Sequence, residues 1–246
     1  MKIVIGGVAV KIQNHFKKEH TIIKKWAWLF ILLVAFGGLW LPQLGLLLLP
    51  MMLTLMVMGL LKGKYWCGHF CPHGSLFDYL IPPVSFNRKM PQFFKSPIVQ
   101  GAAFGGFMYM LGMRLAAAFQ SFGSASFAAQ LGAVFVMNYL VVTILGTLLA
   151  VFIKPRTWCT VCPMGTMQVL MYKLGRVLNA NKKTDRKITM HSADKCVACG
   201  KCAKVCPMQL SPYDNMSENN TFENGHCIRC EECVEACPTK ALLIKK

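Results

Sequence analysis

Two runs toward the end of the chain decide its reading: Cys196-Val-Ala-Cys199-Gly-Lys-Cys202-Ala-Lys-Val-Cys206-Pro207 and, after nineteen intervening residues, Cys227-Ile-Arg-Cys230-Glu-Glu-Cys233-Val-Glu-Ala-Cys237-Pro238. Each is C-x2-C-x2-C-x3-C-P. Three thiolates this close in one loop wrap three irons of one cubane, while the fourth, a short helical step further on, points at the other cube. The spacing therefore assigns Cys196, Cys199, Cys202 and Cys237 to one [4Fe-4S] cluster, and Cys227, Cys230, Cys233 and Cys206 to a second. Gly200 suits a tight cysteine loop, and Pro207 and Pro238 end the segments. Disulfides and paired zinc sites are the other uses of so many cysteines, but zinc ligands usually come as two separated pairs rather than runs of three.

Ahead of these runs the chain is apolar. Its 246 residues are 54% hydrophobic and 15% charged, too greasy for an ordinary soluble protein. No charge occurs from Trp26 to Leu61, and only Arg114 interrupts Ser96 to Ile153. A membrane helix takes about 20 residues, so each run holds two spans, expected at 26–42, 45–61, 98–120 and 131–153. The first ten residues look like the start of a signal peptide, but Lys11, Lys17 and Lys18 follow without a small-residue cleavage site. Residues 3–20 are read as a retained membrane-surface helix.

The formal charge of +17 lies almost wholly in the first 190 residues, whose only acids are Glu19, Asp78 and Asp185. Lys and Arg precede the first expected span, lie between the second and third, and follow the fourth; the two opposite connections have none. By the positive-inside rule both termini face the cytoplasm of a multi-pass inner-membrane protein. The basic excess then sets topology and meets anionic lipid head groups, which leaves no need for a nucleic-acid partner. All twelve cysteines fall on or near that reducing side, where metal ligation is their natural use.

A second cysteine pattern lies at the membrane. After the second span comes Lys62-Gly-Lys-Tyr-Trp-Cys67-Gly-His-Phe-Cys71-Pro-His-Gly, and after the fourth Lys154-Pro-Arg-Thr-Trp-Cys159-Thr-Val-Cys162-Pro-Met-Gly. Each half is a helical hairpin followed by a Cys-Pro motif, and the halves are expected to be related by a twofold axis along the membrane normal. Cys67, Cys71, Cys159 and Cys162 would then converge near that axis. Pro72 and Pro163 suit the first position of a helix, placing Cys71 and Cys162 at its positive end. Four thiolates there suit one iron or a third Fe–S centre; redox-active dithiol pairs and packing turns are the competing uses.

Between residues 74 and 190 there is no histidine, so a haem bridging two helices within the membrane is not expected. Asp78, His69 and His73 flank the first motif as candidate proton acceptors, or as solvated loop residues. Arg114, alone within the third span, faces either a quinone head group or the far interface. Residues 177–190 are basic and without apolar periodicity, a linker, and Asn215–Asn224 reads as an exposed loop.

Together these motifs resemble the membrane-bound polyferredoxin family typified by the NapH-type quinol dehydrogenase subunit, and are similar to the membrane part of the NosR-type and MauN-type proteins. The resemblance covers nearly the whole chain. It departs at Cys159-x2-Cys162, one residue shorter than Cys67-x3-Cys71, and the periplasmic flavin-binding domain of the NosR type has no counterpart here. The implied architecture is an all-α polytopic membrane domain of four transmembrane helices in a two-fold hairpin repeat, with a small α+β bacterial 2[4Fe-4S] ferredoxin-like domain. The domains are an N-terminal amphipathic segment (1–25), the membrane domain (26–176), the linker (177–190) and the ferredoxin-like domain (191–246). The implied role is electron transfer between quinone and other subunits of a redox complex. An accessory metal-centre assembly reductase of the RdxA/FixG-like kind and a redox-sensing Fe–S regulator are the alternatives.

Overall fold

The long apolar runs become helices, because a backbone in hydrocarbon must satisfy its own hydrogen bonds. The computed structural model describes residues 22–182, 184–190, 195–214, 216 and 220–245; the surface helix expected over 3–20 lies outside them. Helix α1 (Leu29–Trp40) is followed by α2 (Pro42–Lys62), whose first turns are 3-10. Short α3 (Tyr65–His69) and α4 (Pro72–Tyr79) carry the first Cys-Pro motif. Then come α5 (Pro97–Phe119) and α6 (Phe127–Phe152), and α7 (Trp158–Val161) with α8 (Pro163–Val177) carrying the second. The C-terminal part adds β1 (Lys187–Met190), α9 (Lys201–Lys204), α10 (Glu232–Glu235) and β2 (Leu242–Lys245).

Three of the described helices, α2, α5 and α6, are long and apolar enough to cross a membrane, where four spans were expected. The departure is at α1. Its residues 29–40 rise about 18 Å, against a hydrocarbon core of about 30 Å. Residues 22–26 are helical, but the chain turns at Ala27 and Trp28, where the Trp28 N–H donates to Ser75 Oγ at 3.2 Å. Leu32–Phe36 is a π segment, and Leu41, held extended before Pro42, ends the helix. The second span accordingly starts at Pro42 rather than at 45.

Close backbone approach sets the packing. A Cβ at Gly45 would meet the Gly132 carbonyl oxygen at 2.1 Å, and one at Gly132 the Pro42 carbonyl oxygen at 2.1 Å, so α2 and α6 touch main chain to main chain. At the other end of α2, a Cβ at Gly175 would lie 2.1 Å from the Leu60 carbonyl oxygen, which beds α8 against α2. The last carbonyls of α6, unpaired within the helix, accept from an extended strip: Phe86 N–H to Val151 O at 2.9 Å, Arg88 N–H to Ile153 O at 2.7 Å, and Ser85 Oγ to Ala150 O at 2.7 Å.

β1 and β2 pair antiparallel with Ile188 opposite Ile244. The strand takes in residues 187–190, the last four of the expected linker, because Ile188 turns into a core with Leu242 and Ile228. The expected exposed loop is corrected too. Phe222 is buried in the same core, and its N–H donates to Ile188 O at 2.8 Å.

Candidate metal centres

Proline builds the membrane-side site. Pro72 and Pro163 each occupy the first turn of their helix, and Cys71 and Cys162 are the N-caps, with ψ of 122° and 124°. Neither sulfur makes a side-chain capping hydrogen bond, but the N–H of Gly74 near Cys71 and those of Met164 and Gly165 near Cys162 favour the anionic form of each. Cys67, Cys71, Cys159 and Cys162 line one cavity of about 100 Å³. It runs from the sulfurs into the apolar space between α2, α5 and α6, and its other polar walls include His73, Asn138 and Tyr139.

Burial pushes the thiols of Cys67, Cys71 and Cys162 up, and repulsion from neighbouring sulfurs adds to it: Cys67 stands well above the usual range, Cys71 at about 12, and Cys162 is raised. Four anionic sulfurs coexist here only when cations compensate them. One cation is on hand. Arg156, 2% exposed, forks onto Asp78 (Nε to Oδ1 2.7 Å, Nη2 to Oδ2 2.6 Å). Its remaining nitrogen, Nη1, donates to Cys67 O at 3.1 Å and lies 3.6 Å from Cys159 Sγ. Burial works against the Asp78 carboxylate, but Arg156, joined by Lys24 at 2.7 Å, overcomes it and holds the group below the ordinary carboxylate value.

Gln168, fully buried, sets its Oε1 3.6 Å from Cys67 Sγ, while its Nε2 has no partner. The two ends of an amide are assigned rather than seen. Turned over, Nε2 would donate to an anionic Cys67 sulfur and satisfy that orphan. The donor set thus fits an anionic thiolate-bound group. Among the described residues, no three His, Cys, Asp or Glu side chains close round a single ion.

The two C-terminal runs form separate pockets. Cys196, Cys199, Cys202 and Cys237 line one; Cys206, Cys227, Cys230 and Cys233 line another. The fourth cysteine of each run lies in the other run's pocket. Gly200 adopts φ +67°, the left-handed turn a glycine supplies, just before α9. Burial raises Cys202, Cys230 (to about 11) and Cys233; Cys237, by contrast, is lowered, because N–H groups of Leu242, Ala241 and Thr239 and the Thr239 hydroxyl outweigh its slight burial.

The membrane-side and C-terminal sites adjoin. A Cβ at Gly68 would lie 2.3 Å from Ile228 O, so α3 rests directly on the second cysteine loop. Cys67 and Cys159 pack against the core that holds Ile228 and Cys233. From the other side Lys95 Nζ donates to Gln209 O at 3.0 Å, and Gln100 Nε2 lies 3.4 Å from His226 Nε2.

Comparison with known proteins agrees with this division. Residues 187–238 match the model of a 4Fe-4S dicluster domain. The chain carries ferredoxin-type iron–sulfur domains. A second model, described as a 4Fe-4S binding domain, matches twice, over residues 44–91 and 135–181, so one copy contains Cys67 and Cys71 and the other Cys159 and Cys162. No curated protein and no solved structure matches the chain.

Other candidates fall differently. His73 is a buried wall of the cavity, with Nε2 2.9 Å from Thr143 Oγ1, and burial lowers it to about 4. Asp78 is neither solvated nor free to take protons, being bound by Arg156 and Lys24. Arg114 faces Asn138 Oδ1 at 3.4 Å, toward the cavity wall rather than the far interface. Sequence reasoning passed over Arg156 and Gln168; the only signal for Arg156 was its place three residues before Cys159.

Proposed function

We propose that this chain is a membrane-embedded iron–sulfur electron-transfer subunit moving electrons between the quinone pool and redox partners on the cytoplasmic side. Ferredoxin-type domains carry one-electron chemistry, and the apolar helices embed them at a membrane. The observation that carries the finer reading is the position of the four membrane-side cysteines. All four line an apolar cavity on one side, and Cys67 and Cys159 pack on the dicluster core on the other.

Cys196, Cys199, Cys202 and Cys237 hold one [4Fe-4S] cluster; Cys227, Cys230, Cys233 and Cys206 hold the second. Cys67, Cys71, Cys159 and Cys162 hold a third iron–sulfur group. Two considerations favour a cluster over a single iron at this last site: a cluster spreads its thiolates over several irons, in keeping with side chains that do not close round one ion, and the model matching both motifs is a 4Fe-4S one. Such groups accept and release single electrons when bound. The chain's own part is to hold the three sites in contact and to keep water from the innermost.

The cavity between α2, α5 and α6 is lined mainly by apolar side chains. Its apolar lining suits a quinone ring, and Tyr139 offers a buried hydroxyl with no partner to a quinone oxygen. Lipid surrounds α2, α5 and α6; both termini and all three sites face the cytoplasm, and further subunits complete the complex.

The test is reduction by a soluble quinol of the purified full-length protein in lipid nanodiscs, followed by EPR. Duroquinol is expected to reduce the centres of the unaltered protein. In Cys71→Ser/Cys162→Ser the dicluster domain should keep about eight irons while reduction slows at least about tenfold. Unaltered reduction in that variant would contradict the proposed route.

A further inference from the structure

The two Cys-Pro motifs share more than cysteine and proline. Setting Lys62-Gly-Lys64-Tyr-Trp-Cys67 over Lys154-Pro-Arg156-Thr-Trp-Cys159 puts Lys64 opposite Arg156, each three residues before the first cysteine. The backbone turns agree: Cys67 N–H donates to Lys64 O at 3.1 Å, and Cys159 N–H to Arg156 O at 3.1 Å. Both cations are buried, 5% and 2% exposed, where basic side chains are rarely found unpaired.

Each crosses to the other half. A Cβ at Gly74, three residues after Cys71, would lie 2.8 Å from Arg156 Nη1. At the equivalent Gly165, three residues after Cys162, the nearest side chain is Lys64, whose Nζ would lie 3.7 Å away. The glycine of each Cys-Pro-x-Gly turn therefore leaves room for the opposite half's cation. Lys64 acts electrostatically on Cys67 and Cys162, and Arg156 on Cys71 and Cys159, one cysteine of each motif apiece. Lys64 also acts electrostatically on Cys227 of the neighbouring set.

The symmetry fails at one point. Arg156 has Asp78, seven residues after Cys71; the position seven after Cys162 is Val169. No carboxylate pairs with Lys64 among the described residues, so its charge acts on Cys67 and Cys162 uncompensated. A buried charge of this kind is tolerated when something of opposite sign lies beside it.

We propose that Lys64 and Arg156 are a matched pair of buried cations, each lent by one half of the chain to the other half's cysteine turn, which neutralise the anionic iron–sulfur group of Cys67, Cys71, Cys159 and Cys162 and raise its reduction potential. The inference rests on the reading that those cysteines hold such a group. Taking up one electron adds one negative charge to it, and a fixed cation alongside stabilises the reduced form over the oxidised one. They are positioning residues that act on the group through the charge they set beside its cysteine ligands.

The experiment is an EPR-monitored redox titration of full-length protein prepared without oxygen, with Lys64→Met, Lys64→Arg and Val169→Asp beside the unaltered chain. Lys64→Met should lower the midpoint potential of the membrane-side centre and leave that of the Cys196 set in place, and Lys64→Arg should restore it. A potential unmoved in Lys64→Met overturns the proposal. If Lys64→Met does not assemble, Val169→Asp decides: it keeps Lys64 and gives it a carboxylate, so the potential should again fall, and no change overturns the proposal. An unaltered protein with only two clusters would instead overturn the parent reading, and this inference with it.

Discussion

At the scale of single residues, the membrane-side site depends on Arg156 being held still. Asp78 grips it through two hydrogen bonds, leaving one nitrogen for Cys67 O and Cys159 Sγ. Asp78→Asn removes the charge partner of a buried guanidinium, a loss of about 3–5 kcal/mol, read as a lower melting midpoint by tryptophan fluorescence in detergent. The sign with pH follows from Asp78 being held below its ordinary value. The unfolded carboxyl titrates near 3.9, so the stabilisation is complete above about pH 4 and is lost as pH falls through the lower folded value. The gap between the unaltered chain and Asp78→Asn should hold from pH 7 to 5 and narrow below 4. The convergence of the four cysteines and the helix-starting prolines was legible, because the repeated spacing sets where they lie. The Asp78–Arg156 pair was not: its partners are 78 residues apart, and nothing local marks which charges will meet.

Among elements, contact between α3 and the second cysteine loop joins the membrane part to the dicluster domain. Gly68 permits it, since any side chain would start 2.3 Å from Ile228 O. Gly68→Val should keep the iron of the dicluster domain, expose the 177–190 segment to protease, and slow reduction by duroquinol at least about tenfold. Iron intact with unchanged proteolysis and reduction would show that this contact is not the joint. The long apolar helices α5 and α6 could be read from hydropathy, as could the cysteine loops from spacing. Hydropathy overestimated α1, because it sums residues and cannot register that Ser75 captures the Trp28 N–H or that Pro42 stops the helix. It underestimated β1, since a strand of four residues with one inward Ile188 leaves almost no periodic trace in a basic segment.

For the molecule as a whole, three cysteine sets are strung from an apolar cavity to the far end of the dicluster domain, and charge is distributed to match. Basic residues crowd the side that bears the cysteines, while the α5–α6 connection at the opposite side has none. Every functional statement depends on all three sets binding iron and sulfide together. The most direct measurement is therefore iron and acid-labile sulfide analysis of the full-length protein purified without oxygen, with EPR of the reduced sample. Three cubanes predict about twelve irons and about twelve sulfides per chain, with signals from three centres. About eight of each would leave Cys67, Cys71, Cys159 and Cys162 without a cluster, and would contradict the proposed link between membrane and dicluster domain.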